Sequence, residues 1–153
     1  MKRCLSAFLA MLCCCSLFIF SVSAGDLASS RAVISTRIEL EDGGYIIEEI
    51  TSDSPNQRAT STKSGTKTST RYTASGSALY AVKVTGSFKY TGSTSWSTAS
   101  TATVSIYDSD VTYVSKSATY ASNYARATGS VTYLGDPESR TVTLYCDKDG
   151  NLS

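Results

Sequence analysis

The sequence predicts an all-β chain. The expected fold is an antiparallel, immunoglobulin-like β-sandwich, with a small β-barrel as the alternative closure, after a signal peptide and an acidic N-terminal hairpin. Three observations lead there. Residues 78–90 alternate strictly: Tyr80, Val82, Val84, Gly86, Phe88 and Tyr90 fall on one face, and Lys83, Thr85, Ser87 and Lys89 on the other. That is the period of a half-buried strand. Turn-forming residues recur at short spacing after residue 71, too close for the long crossovers that parallel strands need. The composition is rich in Ser and Thr and holds 10 Tyr; Thr and Tyr suit a pleated, partly buried surface.

The elements follow in chain order. Residues 1–24 read as a secretory signal peptide. Lys2 and Arg3 form the basic start, Leu5 to Val22 is almost continuously apolar, and Val22-Ser23-Ala24 offers small residues for cleavage after Ala24. The apolar run is also long enough to stay in a membrane as an uncleaved anchor. Residues 25–53 are an acidic leader with seven carboxylates against Arg31 and Arg37. Within it, 33–40 and 45–50 are strand-like and flank Asp42-Gly43, a hairpin-turn pair. Residues 54–70 are polar, contain Pro55 and Gly65, and lack any large apolar side chain, so they read as a linker. The sandwich domain is then 71–153. Its strands are expected at 78–90, 96–107, 111–120, 124–134 and 141–147, with a last turn at Gly135-Asp136-Pro137.

Glu41-Asp42-Gly43-Gly44-Tyr45-Ile46, Gly65-Thr66-Lys67, the run from Ser77 to Phe88, and Thr141 to Cys146 ending near Gly150-Asn151-Leu152-Ser153 carry a resemblance. They look like a family of small secreted, β-rich proteins of Gram-positive bacteria that has no assigned activity. The resemblance covers most of the chain after residue 24. It implies export and a β-rich fold and carries over no site residue. It also implies a second cysteine near Trp96–Ser97, able to pair with the last one. Ser95-Trp96-Ser97 stands there instead.

Charge and composition narrow the function. The chain has 14 Lys+Arg, 13 Asp+Glu and no His. A formal charge of +1 gives no electrostatic footprint for nucleic acid. The lack of His removes the usual general base at neutral pH and the commonest metal ligand. Four of the five cysteines lie within residues 1–24. Cys146 shares the parity of Val142 and Leu144 and is expected to pack as a small hydrophobe.

No candidate catalytic, cofactor or metal constellation emerges. Asp147-Lys148-Asp149-Gly150-Asn151 resembles the opening of a calcium loop but offers no terminal bidentate Glu. Asp108 and Asp110 flank one Ser in a turn, where Asp is favoured for local hydrogen bonding. The tyrosines are more telling. Tyr107 and Tyr145 stand opposite Ile106 and Leu144 in parity, so they are expected on an outer interaction face. The sequence reading is therefore a secreted, non-enzymatic protein of the extracellular space or envelope. It meets a glycan or protein partner, takes no cofactor and no nucleic acid, and touches a membrane only through an uncleaved signal segment. The alternatives are a secreted hydrolase working with carboxylates, and an envelope structural protein held by its signal anchor.

Overall fold

Tyr80, Val82, Val84 and Phe88, the row picked out by alternation, are fully buried, and they meet Val131, Val142, Leu144 and Cys146 from a second sheet. The computed structural model describes residues 32–52 and 61–153. The expected signal peptide and its cleavage point lie outside these. Eight strands run in order: β1 (Ala32–Glu39), β2 (Tyr45–Ser52), β3 (Ser61–Tyr72), β4 (Ala78–Tyr90), β5 (Ser95–Ile106), β6 (Val111–Ala121), β7 (Tyr124–Tyr133) and β8 (Asp136–Tyr145). They form one five-stranded sheet, β1-β2-β3-β4-β5, and one three-stranded sheet, β6-β7-β8. Every pairing is antiparallel. The all-β sandwich is as expected, and no barrel closes. Its connectivity is two successive meanders, joined once between β5 and β6. An immunoglobulin domain differs in linking its two sheets by Greek-key connections.

The sheets meet most closely where β7 crosses β4. A Cβ on Gly86 would fall 2.7 Å from Ala125 Cβ, and one on Gly129 would fall 2.7 Å from Val82 and Val104. β8 lies over β3 and β4, β7 over β4 and β5, and β6 mainly over β5. The small sheet leaves β1 and β2 uncovered.

Three expectations need correction. Residues 61–70, read as linker, are most of β3, the central strand of the larger sheet. The stretch lacks large apolar residues because small ones fit its place: Leu152 lies over Gly65, and Ser69 is buried. Its hydroxyls bond across the ladder, Thr51 to Thr66 at 2.6 Å and Ser64 to Ser87 at 3.2 Å. β2 pairs with β3 along its whole length, so the acidic hairpin is part of the sandwich, not a separate leader. Residues 53–60 lie outside the described part.

The last strand begins at Asp136, not Thr141. Its turn is Leu134-Gly135, both at positive φ (52° and 93°), the backbone that a two-residue hairpin demands. Pro137 is tolerated within β8 because that strand is an edge.

Candidate functional site

The concave surface follows from unequal sheet widths. The larger sheet extends two strands beyond β8, so a trough runs beside β8, whose edge the C-terminal residues bond at Tyr145 and Asp147, and the inner face of β1 is the part of its floor left exposed. Register fixes that face. Ile46 and Ile50 are buried, and their cross-strand partners on β1 are Ile38 and Ile34. Yet Ile34 is 57% and Ile38 42% exposed, because among the described residues no strand of the smaller sheet lies above them.

One end of the trough is a polar notch of about 590 Å³, lined by the β1–β2 turn, Arg71, Tyr80, Glu138 and Arg140. Arg71 is buried and paired with Asp42. Gly44 makes that possible, since any Cβ there would strike the guanidinium. The Gly44 amide donates to Asp42 Oδ1 at 3.0 Å. That bond, helped by Arg71, holds the Asp42 carboxyl below the usual range. Tyr80 Oη donates to Glu138 Oε2 at 2.7 Å. Burial first, and then the Glu138 bond, pushes this phenol up to about 12. Both shifts point away from neutrality, so Asp42 stays ionised and Tyr80 neutral around pH 7. A general acid or base works best with a pKa near the operating pH. These groups instead present fixed charge and hydrogen bonds.

The other end is a hollow of about 290 Å³ with a mixed lining, Ile34, Ile50 and Leu152 beside Ser52, Lys63 and Asn151. The C-terminal residues close it. Beyond β8 the chain reverses at Asp147–Gly150, and Leu152 returns to bridge Cys146. Lys67 on the floor reaches Glu48 at 3.3 Å.

The residues singled out from sequence fall as follows. Tyr107, just past the end of β5, and Tyr145, the last residue of β8, are both exposed, but they stand beside different sheets and at opposite ends of the sandwich. The Tyr107 amide bonds to Leu79 O, whereas Tyr145 pairs with Tyr124, beside the crossing of Ala125 over Gly86. The structure does not bring them onto one face. Asp147 closes its own loop, accepting from the amides of Asp149 and Asn151 and from Asn151 Nδ2, each at 2.8 Å. Asp108 accepts from the Asp110 amide at 2.9 Å. Among the described residues, no three metal-capable side chains cluster. Cys146 is buried, and burial pushes its thiol up to about 11. Ser95 Oγ donates to Cys146 O at 2.7 Å, so a hydroxyl-to-carbonyl bond joins the two segments that the family resemblance would link by a disulfide.

The sequence reading did not single out Arg71, Glu138 and Arg140 as site residues, nor the exposed isoleucines. A second unforeseen feature is a stack on the outer face of the larger sheet. Arg37 lies 3.6 Å over the Tyr45 ring, which stacks on Tyr72 with centroids 4.9 Å apart. Compared with protein-family models, curated proteins and solved structures, the chain matches none.

Proposed function

We propose that this chain is an exported, non-enzymatic β-sandwich protein that acts by contact, in the envelope or outside the cell, through the flank where its larger sheet outreaches the smaller. The observation that carries this reading is the pair Ile34 and Ile38. Both sit on the core-facing side of β1, and both are open to water. A core-facing row left uncovered beside an open strand edge is the usual mark of an interaction site. The fixed protonation of Asp42 and Tyr80 in the adjoining notch favours recognition over proton transfer. The basic, apolar and small-residue order of residues 1–24 supports export. The partner is a protein or glycan met outside the cytoplasm.

Cell fractionation with N-terminal sequencing of the recovered protein tests the first half; mature protein should start at Gly25. Binding to isolated envelope and extracellular material tests the second. Ile38→Glu should abolish capture while Tyr113→Ser, on the opposite flank, preserves it. Capture that ignores Ile38→Glu in a folded protein would remove this flank from the function.

A further inference from the structure

We propose that the open edge of β1 pairs with the β1 edge of a second copy of the chain, antiparallel and centred on Thr36, so that two larger sheets join into one. This rests on the reading of the flank as a contact surface. The four sheet edges are not alike. β5 and β6 each carry a register shift. β8 holds Pro137 and turns Asp136, Glu138 and Arg140 inward; Ser153 bonds it at Tyr145, and Asn151 bonds Asp147 just past its end. Bulges, Pro and inward charge keep sheet edges from pairing. β1 has none of these: its ladder with β2 is regular, it contains no Pro, and its inward row is Ile34, Thr36 and Ile38.

Backbone direction fixes what this edge offers. The Leu40 amide donates to Gly44 O at 2.9 Å, so Leu40 and Gly44 form a hydrogen-bonded pair. Such pairs alternate along an antiparallel ladder, and this one has no shift. Ile34, Thr36 and Ile38 therefore turn their backbone N–H and C=O groups to β2. Val33, Ser35, Arg37 and Glu39 turn theirs to the open edge, where no described strand meets them. Two copies of this edge bond only when odd-numbered residues face odd-numbered ones, which also keeps both inward rows on one side. The register centred on Ser35 sets Ile34 against Thr36 and leaves Glu39 beyond the end of the facing strand. The register centred on Arg37 sets two like charges directly opposite. The register centred on Thr36 sets Ile34 against Ile38 and Ser35 against Arg37, and every edge-facing group of β1 finds a partner.

Charge fits the same register. On the outer face Glu49 stands beside Ser35, and Arg37 of the second copy comes to the other side of that Ser. The two strands that carry them are about 9.6 Å apart, a gap that two long side chains span over one small residue. The two-fold axis repeats the pair. Each copy has one such edge, so the symmetry closes and no filament grows. The smaller sheets stand on one side of the joined sheet, with β2, β1, β1 and β2 between them. Ile34 and Ile38 of both copies then make one apolar floor there. A seam one strand wide buries less than the about 1,200 Å² at which stable specific interfaces begin, so the pairing is weak and reversible.

The test uses protein purified in the form its producing cells deliver. Thr36→Cys is the sharpest probe, because Thr36 is exposed and changes little in a single copy. In the joined sheet the two residues 36 form a non-hydrogen-bonded pair with Cα atoms about 4.5 Å apart, within reach of a disulfide. The two residues 35 lie diagonally, beyond the about 7 Å that a disulfide bridges. Under mild oxidation Thr36→Cys should link two copies through the introduced thiols at least about tenfold faster than Ser35→Cys, with the bridge located by peptide mapping. Sedimentation of the unmodified protein over a concentration series should show a reversible one-to-two-copy equilibrium. Ser35→Pro should abolish it while thermal unfolding stays as in the parent, since that amide faces the open edge and bonds nothing in a single copy. Ile38→Glu should weaken pairing about tenfold or more, and Tyr113→Ser should leave it unchanged. Equal linking of the two cysteine variants overturns the proposal, as does a protein that stays single at its highest soluble concentration or grows into open-ended polymers. A single-copy protein that still captures envelope material through Ile38 defeats the self-pairing but not the contact reading. A paired protein whose envelope binding ignores Ile38→Glu does the reverse.

Discussion

The two flanks of the sandwich end in opposite ways. On the β5–β6 side, Thr98 is an extra residue in β5 and Val114 an extra residue in β6. β6 also points Lys116 inward, between Tyr113 and Tyr120, which are inward-facing and about half exposed. On the β1–β8 side the ladders are regular, and the inward row on β1 is Ile34, Thr36 and Ile38. Inward charge and bulges are how sheet edges refuse partners. Both flanks therefore carry such devices on the small sheet, Lys116 on β6 and Pro137 with inward Glu138 and Arg140 on β8, and β1 alone presents the unfinished face of a core. Exposure alone does not separate them, because Tyr113 is as exposed as Ile38. The difference lies in register, and in β1, whose inward row carries no charge.

The largest effect should come from the closure of the ledge. Leu152 is buried over Gly65 and belongs to the same core cluster as Ile50. Leu152→Ala should cost about 2–4 kcal/mol, the transfer term plus a cavity. Tyr113→Ser on the other flank should stay within about 0.5 kcal/mol. Thermal or denaturant unfolding of the two variants decides. Equal losses would mean that the flanks are equally integrated into the core and that the contrast drawn between them is wrong.

A smaller effect belongs to the polar notch and appears only at high pH. Tyr80 ionises at about 12 in the folded chain instead of its ordinary 10, because its phenol is buried and donates to Glu138. A raised pKa means that the folded state holds the proton more tightly. The stability this confers is complete below pH 10 and is lost as pH rises from 10 to 12. It amounts to the order of 2 kcal/mol. Cys146, raised from 9 to about 11 by burial, acts in the same direction between those values. Tyr80→Phe removes the first contribution, so its unfolding free energy should fall less steeply above pH 10. A slope identical to that of the parent would show that Tyr80 does not ionise separately from unfolding in that range.

How far the residues themselves foretell this arrangement differs between core and site. Alternation in 78–90 and 124–134 identifies β4 and β7 with their inner faces, because each strand buries one side and local period suffices. β3 is hidden by its composition. Ser, Thr and Gly at 61–70 satisfy the rule for a connector, and only the neighbours β2 and β4 reveal that small residues fill a crowded layer. The trough was not legible at all. It arises from the difference between five strands and three, and sheet width is not written in any short run of residues. Ile34 and Ile38 look like core from their spacing, and so they would be if the small sheet were wider. Parity places Tyr107 and Tyr145 outside, but it tells inside from outside and not which sheet a side belongs to.

The smallest effect on stability concerns Lys116 and tests the guarded flank directly. Its cross-strand partner is Gly129, which faces Val82 and Val104, so the side chain points toward the larger sheet. Lys116 is nevertheless exposed, because β6 is an edge and β5 is the last strand of the sheet below it. A strand from another molecule that paired with β6 would have to bury this ammonium without a counter-charge, at a cost of several kcal/mol. Lys116→Leu removes that cost and joins Tyr113 and Tyr120 into a continuous apolar row. Folding stability should change by no more than about 0.5 kcal/mol, as for other exposed positions. Assembly should change instead: species larger than those of the parent should appear in light scattering and grow with concentration, with new exchange protection in β6. Lys116→Gln, which keeps a polar head, should behave like the parent. If Lys116→Leu assembles no further than the parent, the register shift at Val114 guards this edge by itself and Lys116 is merely a solvated side chain.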